Sequence, residues 1–245
     1  MPLSYAQCSA CTEMLFGELA DHPARIHAAH AAGFAGVEFW LWSVKDLAAI
    51  RAALDATGLR LAGFVAEPMV SLNDPANHAT FLAALPASIA AAQSLGAENL
   101  YVQGGSTRPG IPRAVQTAAL TTVLTAAADI MAGSGVTLLL EPVSDAKDGF
   151  VTHAAAGLAV VAAVNRPEIR LLYDLYHAAM AGEATATTIG PHVKLIGHVH
   201  VADHPGRGAP GTGQLDLDGD LAWLRAQGYG GLFGLEYRPA AGGGL

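Results

Sequence analysis

The sequence predicts an α/β fold, one (β/α)8 TIM barrel spanning residues 1–245, and three observations carry that reading. Short Val/Leu-rich runs alternate with alanine-rich helical stretches along the chain, the pattern of parallel strands covered on both faces and joined by crossover helices. No segment between them is long enough to separate two domains, and the length of 245 residues suits one such barrel, typically about 250 residues. Four successive runs, VTLLLE, IRLLYD, VKLIGHVH and GLFGLEY, end on or one residue past an ionisable side chain: Glu141, Asp174, His200 and Glu236. Barrel enzymes work at the carboxyl ends of their strands.

In order, residues 3–9 are the first strand, followed by a helix through Pro23-Ala-Arg-Ile-His-Ala-Ala-His that Gly33 closes. Residues 35–40 are strand two, 44–57 a helix stopped by Gly58, and 59–66 strand three. A longer loop, 67–77, carries Pro68, Pro75 and the turn pair Asn73-Asp74; a long helix then runs to Leu95, where Gly96 ends it. Glycine suits these places because the residue after a helix commonly turns left-handed. Strand four is 99–103, and Gly104-Gly105 opens a loop. Pro112 stands in the first turn of a helix reaching Met131, where a missing N–H costs nothing. Gly133-Ser-Gly leads to strand five, 136–141. Helix five is 152–164, strand six 169–174, a weak helix six 183–189, strand seven 193–201, helix seven 217–227 and strand eight 232–237, leaving 240–245 as a frayed tail. A doubly wound open sheet would announce a Gly-rich phosphate loop after strand one, and Ser9-Ala-Cys-Thr-Glu-Met has none.

The 52% hydrophobic content resides in these strands and helices. No uninterrupted apolar stretch approaches the roughly 20 residues of a membrane helix, and no secretory leader pattern opens the chain. A soluble, cytoplasmic protein with no membrane partner is expected. A net charge of −8 with 13 Lys+Arg argues against nucleic acid, whose phosphates need many cations, and favours a small-molecule substrate. Cys8 and Cys11 form one C-x-x-C with no second pair, so they read as buried thiols rather than half a zinc site.

Glu141, Asp174, His200 and Glu236 are each separated from the next by about one β/α unit, so four adjacent strands would deliver three carboxylates and an imidazole to one point. They would repel one another without a cation between them, and the oxygen-rich set favours one divalent metal ion, Mg²⁺, Mn²⁺ or Co²⁺, over tetrahedral zinc. A single such carboxylate is as readily a helix N-cap; four in succession, each closing an apolar strand, favour the metal. His198 and His200 share one strand face, and His200, nearer the carboxyl end, is the expected ligand. Glu38, inside strand two, and Gln103, ending strand four, are candidates for substrate hydroxyl contacts or else satisfied structural polar groups.

At these residues the chain resembles the hydroxypyruvate isomerase group of the xylose isomerase-like barrels, most closely in Gly33-Phe-Ala-Gly-Val-Glu-Phe, Leu140-Glu-Pro-Val, Tyr173-Asp-Leu-Tyr-His, Gly197-His-Val-His-Val-Ala-Asp-His-Pro-Gly-Arg-Gly and Gly234-Leu-Glu-Tyr-Arg-Pro. The resemblance implies that Glu141, Asp174, His200 and Glu236 hold the metal, that Glu141 and Glu236 transfer the proton of an aldose–ketose isomerisation, and that His177 and Arg207 contact the substrate. Hydroxypyruvate, converted to 2-hydroxy-3-oxopropanoate, is the leading substrate. Ser144, Ala178, Ala179 and Gln214 replace residues usual in that group, so the substrate pocket differs. A ketose 3-epimerase with the same metal, and a barrel that binds metal and sugar without turnover, are the alternatives. An endonuclease IV-like repair enzyme would want more ligands and a basic face. The Trp40-Leu-Trp42 segment could serve a homodimer contact or a lid.

Overall fold

The computed structural model describes residues 3–240. Its strands are β1 (Cys8–Cys11), β2 (Gly36–Glu38), β3 (Arg60–Val65), β4 (Ala97–Gln103), β5 (Thr137–Glu141), β6 (Ile169–Asp174), β7 (Ile196–Val201) and β8 (Phe233–Leu235). They pair in parallel in chain order, and β8 returns to β1 to close the barrel. Helices α1 (His22–Ala31), α2 (Leu47–Thr57), α3 (His78–Leu95), α4 (Arg113–Met131), α5 (Ala154–Val164), α6 (Leu175–Met180), α7 (Thr185–Ile189) and α8 (Leu217–Ala226) lie along the connections.

Local chemistry fixes the helix ends. The carboxylates of Asp21, Asp46 and Asp216 accept the N–H groups of Ala24, Ala49 and Gly219 at the starts of α1, α2 and α8, satisfying donors that the helix itself cannot. Gly58 and Gly96 end α2 and α3 with φ of 71° and 70°, as the sequence requires.

Alternation along the strands divides the core into two layers. Outward residues such as Val37, Phe64, Leu100, Leu138, Leu140, Leu171 and Val199 pack in one large cluster with the helix faces, among them Ile50, Leu85, Leu124 and Leu158. Inward residues Val65, Tyr101, Leu139 and Leu172 form a separate cluster within the barrel. Two residues further along the same strands stand Gln103, Glu141 and Asp174, and two beyond His198 stands His200. Register aligns them: Gln103 opposite Glu141, and Asp174 opposite His200. The barrel interior thus has Val65, Leu139 and Leu172 in its floor beside the buried polar groups of Tyr101 and His198, with an ionisable layer directly above.

Four sequence expectations need correction. Strand one begins at Cys8, not residue 3, because Tyr5–Gln7 forms a 3-10 turn whose Tyr5 ring stacks on Phe34 with centroids 4.4 Å apart. Residues before Ile196 in the expected strand seven likewise form a 3-10 turn, Gly190–Leu195. The weak sixth helix is shorter, Thr185–Ile189, and an unexpected helix, Leu175–Met180, precedes it. Pro112 stands just before α4 as its cap residue rather than within its first turn. The expected frayed tail, 240–245, falls outside the described residues beyond Ala240. Among the described residues α4 is long and apolar enough by length and composition to cross a membrane, and here Leu120, Val123, Leu124 and Met131 bury its inner face.

Candidate active site

Glu141 ends β5, Asp174 ends β6, His200 is the penultimate residue of β7, and Glu236 follows β8. One oxygen or nitrogen of each lies within 4.8 Å of the corresponding atom of every other. The Nδ1 atom of His200 is 3.3 Å from Glu236 Oε2 and 3.7 Å from Glu141 Oε1. Asp174 is bipartite: its Oδ1 accepts the N–H groups of Tyr176 and His177 at 2.8 and 3.3 Å, capping α6, and its Oδ2 faces the cluster. The helix-cap role thus takes one oxygen of the carboxylate and leaves the other turned toward the cluster.

The set suits a divalent cation. Both ring nitrogens of His200 are buried without a hydrogen-bond partner, a costly arrangement for polar atoms, and three carboxylates beside them supply the hard oxygen donors such an ion takes. Burial opposes ionisation of Glu236, but His200, Arg207 and the Trp40 indole outweigh it and hold the carboxyl well below its usual range. Burial also opposes charge on His200, yet Glu38 and Glu236 raise its pKa well above the ordinary value. Asp174 goes the other way: burial pushes it up, only partly offset by His177 and Arg207.

Arg207 reaches this cluster from the loop after β7. Its guanidinium pairs with Glu236, lies 3.5 Å from Asp174 Oδ2 and 3.7 Å from Asp145 Oδ2, and covers the Tyr176 ring at 5.3 Å from its centroid. The backbone at Arg207 is left-handed, φ 55°, an uncommon state for a side-chain-bearing residue. His177 is buried, with Nε2 3.6 Å from Asp174 Oδ2 and Nδ1 3.2 Å from the Ser144 hydroxyl. Gln103 is exposed at the mouth, its amide 3.4 Å from Glu141 Oε2. Glu38 does not stand at the mouth. It is 1% exposed and lies beneath the cluster, bonded by Tyr101 and His198.

Three participants escape sequence reasoning. The Trp40 indole N–H donates to Glu236 Oε1 at 2.8 Å, so this half-exposed residue, expected to serve a lid or a dimer contact, walls the site. Asp145 faces both Arg207 and His177. Asp203, just after β7, accepts the N–H groups of His204, Gly211 and Leu215 at 2.8, 2.9 and 3.1 Å and so folds the loop that presents Arg207. Trp40 had a signal in the Trp40-Leu-Trp42 segment, though not of its bond to Glu236, and Asp203 in its place in the His-Val-Ala-Asp-His-Pro-Gly-Arg run; Asp145 had none.

A family model described as Xylose isomerase-like TIM barrel matches residues 26–243. Curated relatives include a putative hydroxypyruvate isomerase of Streptomyces coelicolor, 34% identical over 92% of this chain and 88% of its own, and the hydroxypyruvate isomerase of Escherichia coli, 31% identical over 94% and 93%. A 2-oxo-tetronate isomerase of Cupriavidus necator is 31% identical over 89% and 87%. Among solved structures, AP endonuclease, family 2, from Brucella melitensis superposes with a TM-score of 0.86 at 26% identity, covering 95% of this chain and 93% of that one.

Proposed function

Since the chain belongs to the xylose isomerase-like TIM barrel family, we propose that it is a divalent-metal-dependent aldose–ketose isomerase of a small hydroxy-carbonyl compound, with hydroxypyruvate and 2-hydroxy-3-oxopropanoate as its leading pair. The observation that carries this is the convergence of Glu141, Asp174, His200 and Glu236 within 4.8 Å, in a chain whose relatives are named isomerases. Those four residues would hold the ion. Bound there, a divalent cation would polarise the substrate carbonyl and lower the cost of negative charge developing on its oxygen.

The remaining work falls to side chains. Isomerisation moves one hydrogen from the hydroxyl-bearing carbon to the carbonyl carbon and one hydroxyl proton between the two oxygens. Glu141 and Glu236, entering from β5 and from the end of β8, are the two carboxylates positioned to take and return the carbon-bound proton. Trp40 fixes the orientation of Glu236. Arg207 supplies a planar fork for a substrate carboxylate, and His177, steadied by Ser144, faces the same space. Gln103 stands where a hydroxyl would be met. A net charge of −8 fits a small-molecule substrate and not a nucleic acid.

A second reading has one observation in its favour. A cavity walled by Val65, Met69, Val70, Leu72 and Phe81 opens beside Gln103 and Glu141, giving room for a carbon chain longer than three atoms, as in a ketose 3-epimerase. Product analysis with hydroxypyruvate, tetruloses and ketohexoses, each with Mg²⁺, Mn²⁺ or Co²⁺, tests both. Interconversion of aldose and ketose, abolished by a chelator, is the expected result; inversion at C3 alone would replace the isomerase reading, and chelator-insensitive turnover would remove the metal.

A further inference from the structure

Beneath the proposed metal ligands, and joined to them through His200, lies a second group of buried ionisable side chains. Glu38, Tyr101, His198 and His200 are 1%, 4%, 2% and 3% exposed. The Tyr101 hydroxyl donates to Glu38 Oε2 at 2.9 Å, and His198 Nε2 lies 2.9 Å from the same oxygen. His200 Nε2 is 3.4 Å from it, while the opposite ring nitrogen, Nδ1, faces Glu141 and Glu236. The ring of His200 is thus suspended between a carboxylate below and the acid cluster above. The Tyr101 ring stands edge-on to it at 5.7 Å, and the His198 ring likewise at 5.1 Å, so the imidazole has little freedom to turn.

We infer that Glu38 is a positioning residue for the metal centre: its carboxylate, 3.4 Å from Nε2 on the side of the ring away from the acid cluster though not hydrogen-bonded to it here, holds the imidazole so that Nδ1 faces the cation. The inference rests on the metal reading above. A ligating histidine commonly gives its other N–H to a carboxylate, which fixes the tautomer and raises the basicity of the ligating nitrogen. Here the carboxylate comes from β2, on the far side of the barrel from the four ligands. Two features of the backbone make it possible. The β2–β3 register shifts between Val37 and Glu38, and such an irregularity re-aims a side chain. On β8, Gly234 leaves the space open: a Cβ there would lie 2.3 Å from Glu38 Oε1 and 2.7 Å from both His198 Nε2 and His200 Cδ2.

Glu38, His198 and His200 also bring ligand-type atoms within 4.8 Å of one another, so a second cation is the competing explanation. Against it, Glu38 Oε2 is already engaged by Tyr101 and His198; for it, Glu38 Oε1 is buried without a hydrogen-bond partner. Bound-metal stoichiometry separates the two.

The test measures Mn²⁺ affinity and stoichiometry by competition with a fluorescent chelator for the wild type, Glu38→Gln and His200→Ala, with ring ¹⁵N–¹H correlation spectra of the Zn²⁺-loaded wild type. The expected results are one equivalent of metal, affinity weakened about 10- to 100-fold by Glu38→Gln, and a His200 ring protonated at Nε2. If Glu38→Gln binds Mn²⁺ as the wild type does, or if the wild type takes two equivalents and Glu38→Gln one, the positioning role is overturned. Unchanged affinity in His200→Ala overturns the metal reading itself. Should Glu38→Gln fail to fold, the wild-type spectrum decides: a His200 ring bound through Nε2, with its proton on Nδ1, refutes the inference.

Discussion

The Trp40 indole N–H meets Glu236 Oε1 at 2.8 Å, while Arg207 holds the other oxygen of the same carboxylate. Glu236 therefore has one oxygen anchored to the β2 loop and one turned toward Arg207, His200 and Asp174. A hydrogen bond to a buried charged group contributes about 1.5–3 kcal/mol. Trp40→Phe, which keeps an aromatic ring and deletes the donor, is expected to lower kcat roughly tenfold, since about 1.4 kcal/mol is a factor of ten. Steady-state kinetics check this, and an unchanged kcat would show that the indole only fills space.

Glu141→Gln and Glu236→Gln test proton transfer, with the Mn²⁺ affinity of each variant measured beside it because both glutamates are also proposed ligands. Each is expected to abolish exchange of substrate carbon-bound hydrogen with deuterated solvent, read by proton NMR, because an amide at neutral pH neither takes nor returns the proton. Exchange at the wild-type rate in either variant would strip that glutamate of its role.

Asp203 predicts a pH dependence of stability. Burial opposes its ionisation, yet the N–H groups of Gly213, Leu215, Gly211 and His204 outweigh this and depress its pKa. A depressed folded-state pKa stabilises the fold above the unfolded value, about 3.9, and that stability is lost as pH falls through the folded value. Asp203→Asn is expected to cost about 2 kcal/mol at pH 7, or roughly 4–8 °C in Tm for a chain of this size. Thermal melts should show the gap between the two proteins closing at the acid end. A gap independent of pH would mean that the charge contributes nothing.

Cys8 and Cys11 are buried and free. Burial, more than any neighbouring charge, pushes Cys8 up to about 12 and Cys11 well above its usual value, and the thiolate is the reactive form. Neither should react with a disulfide reagent at about pH 8, near the ordinary thiol pKa, in the native protein, and both should react in denaturant. Rapid native labelling at either position would contradict the burial.

Much of this could be read from the amino acids. Glu141 and Asp174 end apolar strands and His200 stands one residue before the end of another, and parity decides which way their side chains point. Glu236 sits just beyond such a strand and obeys the same logic. Trp40, Asp145 and Tyr101 could not be found that way: their partners lie on other strands or loops, 196 residues away in sequence for Trp40, and no local period encodes such a meeting. The helix Leu175–Met180 was hidden because Asp174 both ends a strand and caps the helix that begins at the next residue. Glu38 was visible as an acid within a strand, but its depth depends on a register shift and on the bare backbone of Gly234.

All four proposed ligands come from the second half of the chain, β5 to the end of β8, whereas the cavity beside Gln103 and Glu141 is walled mainly from β3, the loop after it, α3 and β4. The cavity and the proposed ligands thus occupy adjoining arcs of one ring that meet at Gln103 and Glu141. Grafting a different segment 67–77 would reshape the wall of this cavity without replacing any of the four proposed ligands, which makes this stretch the natural place to diversify in a search for new substrates.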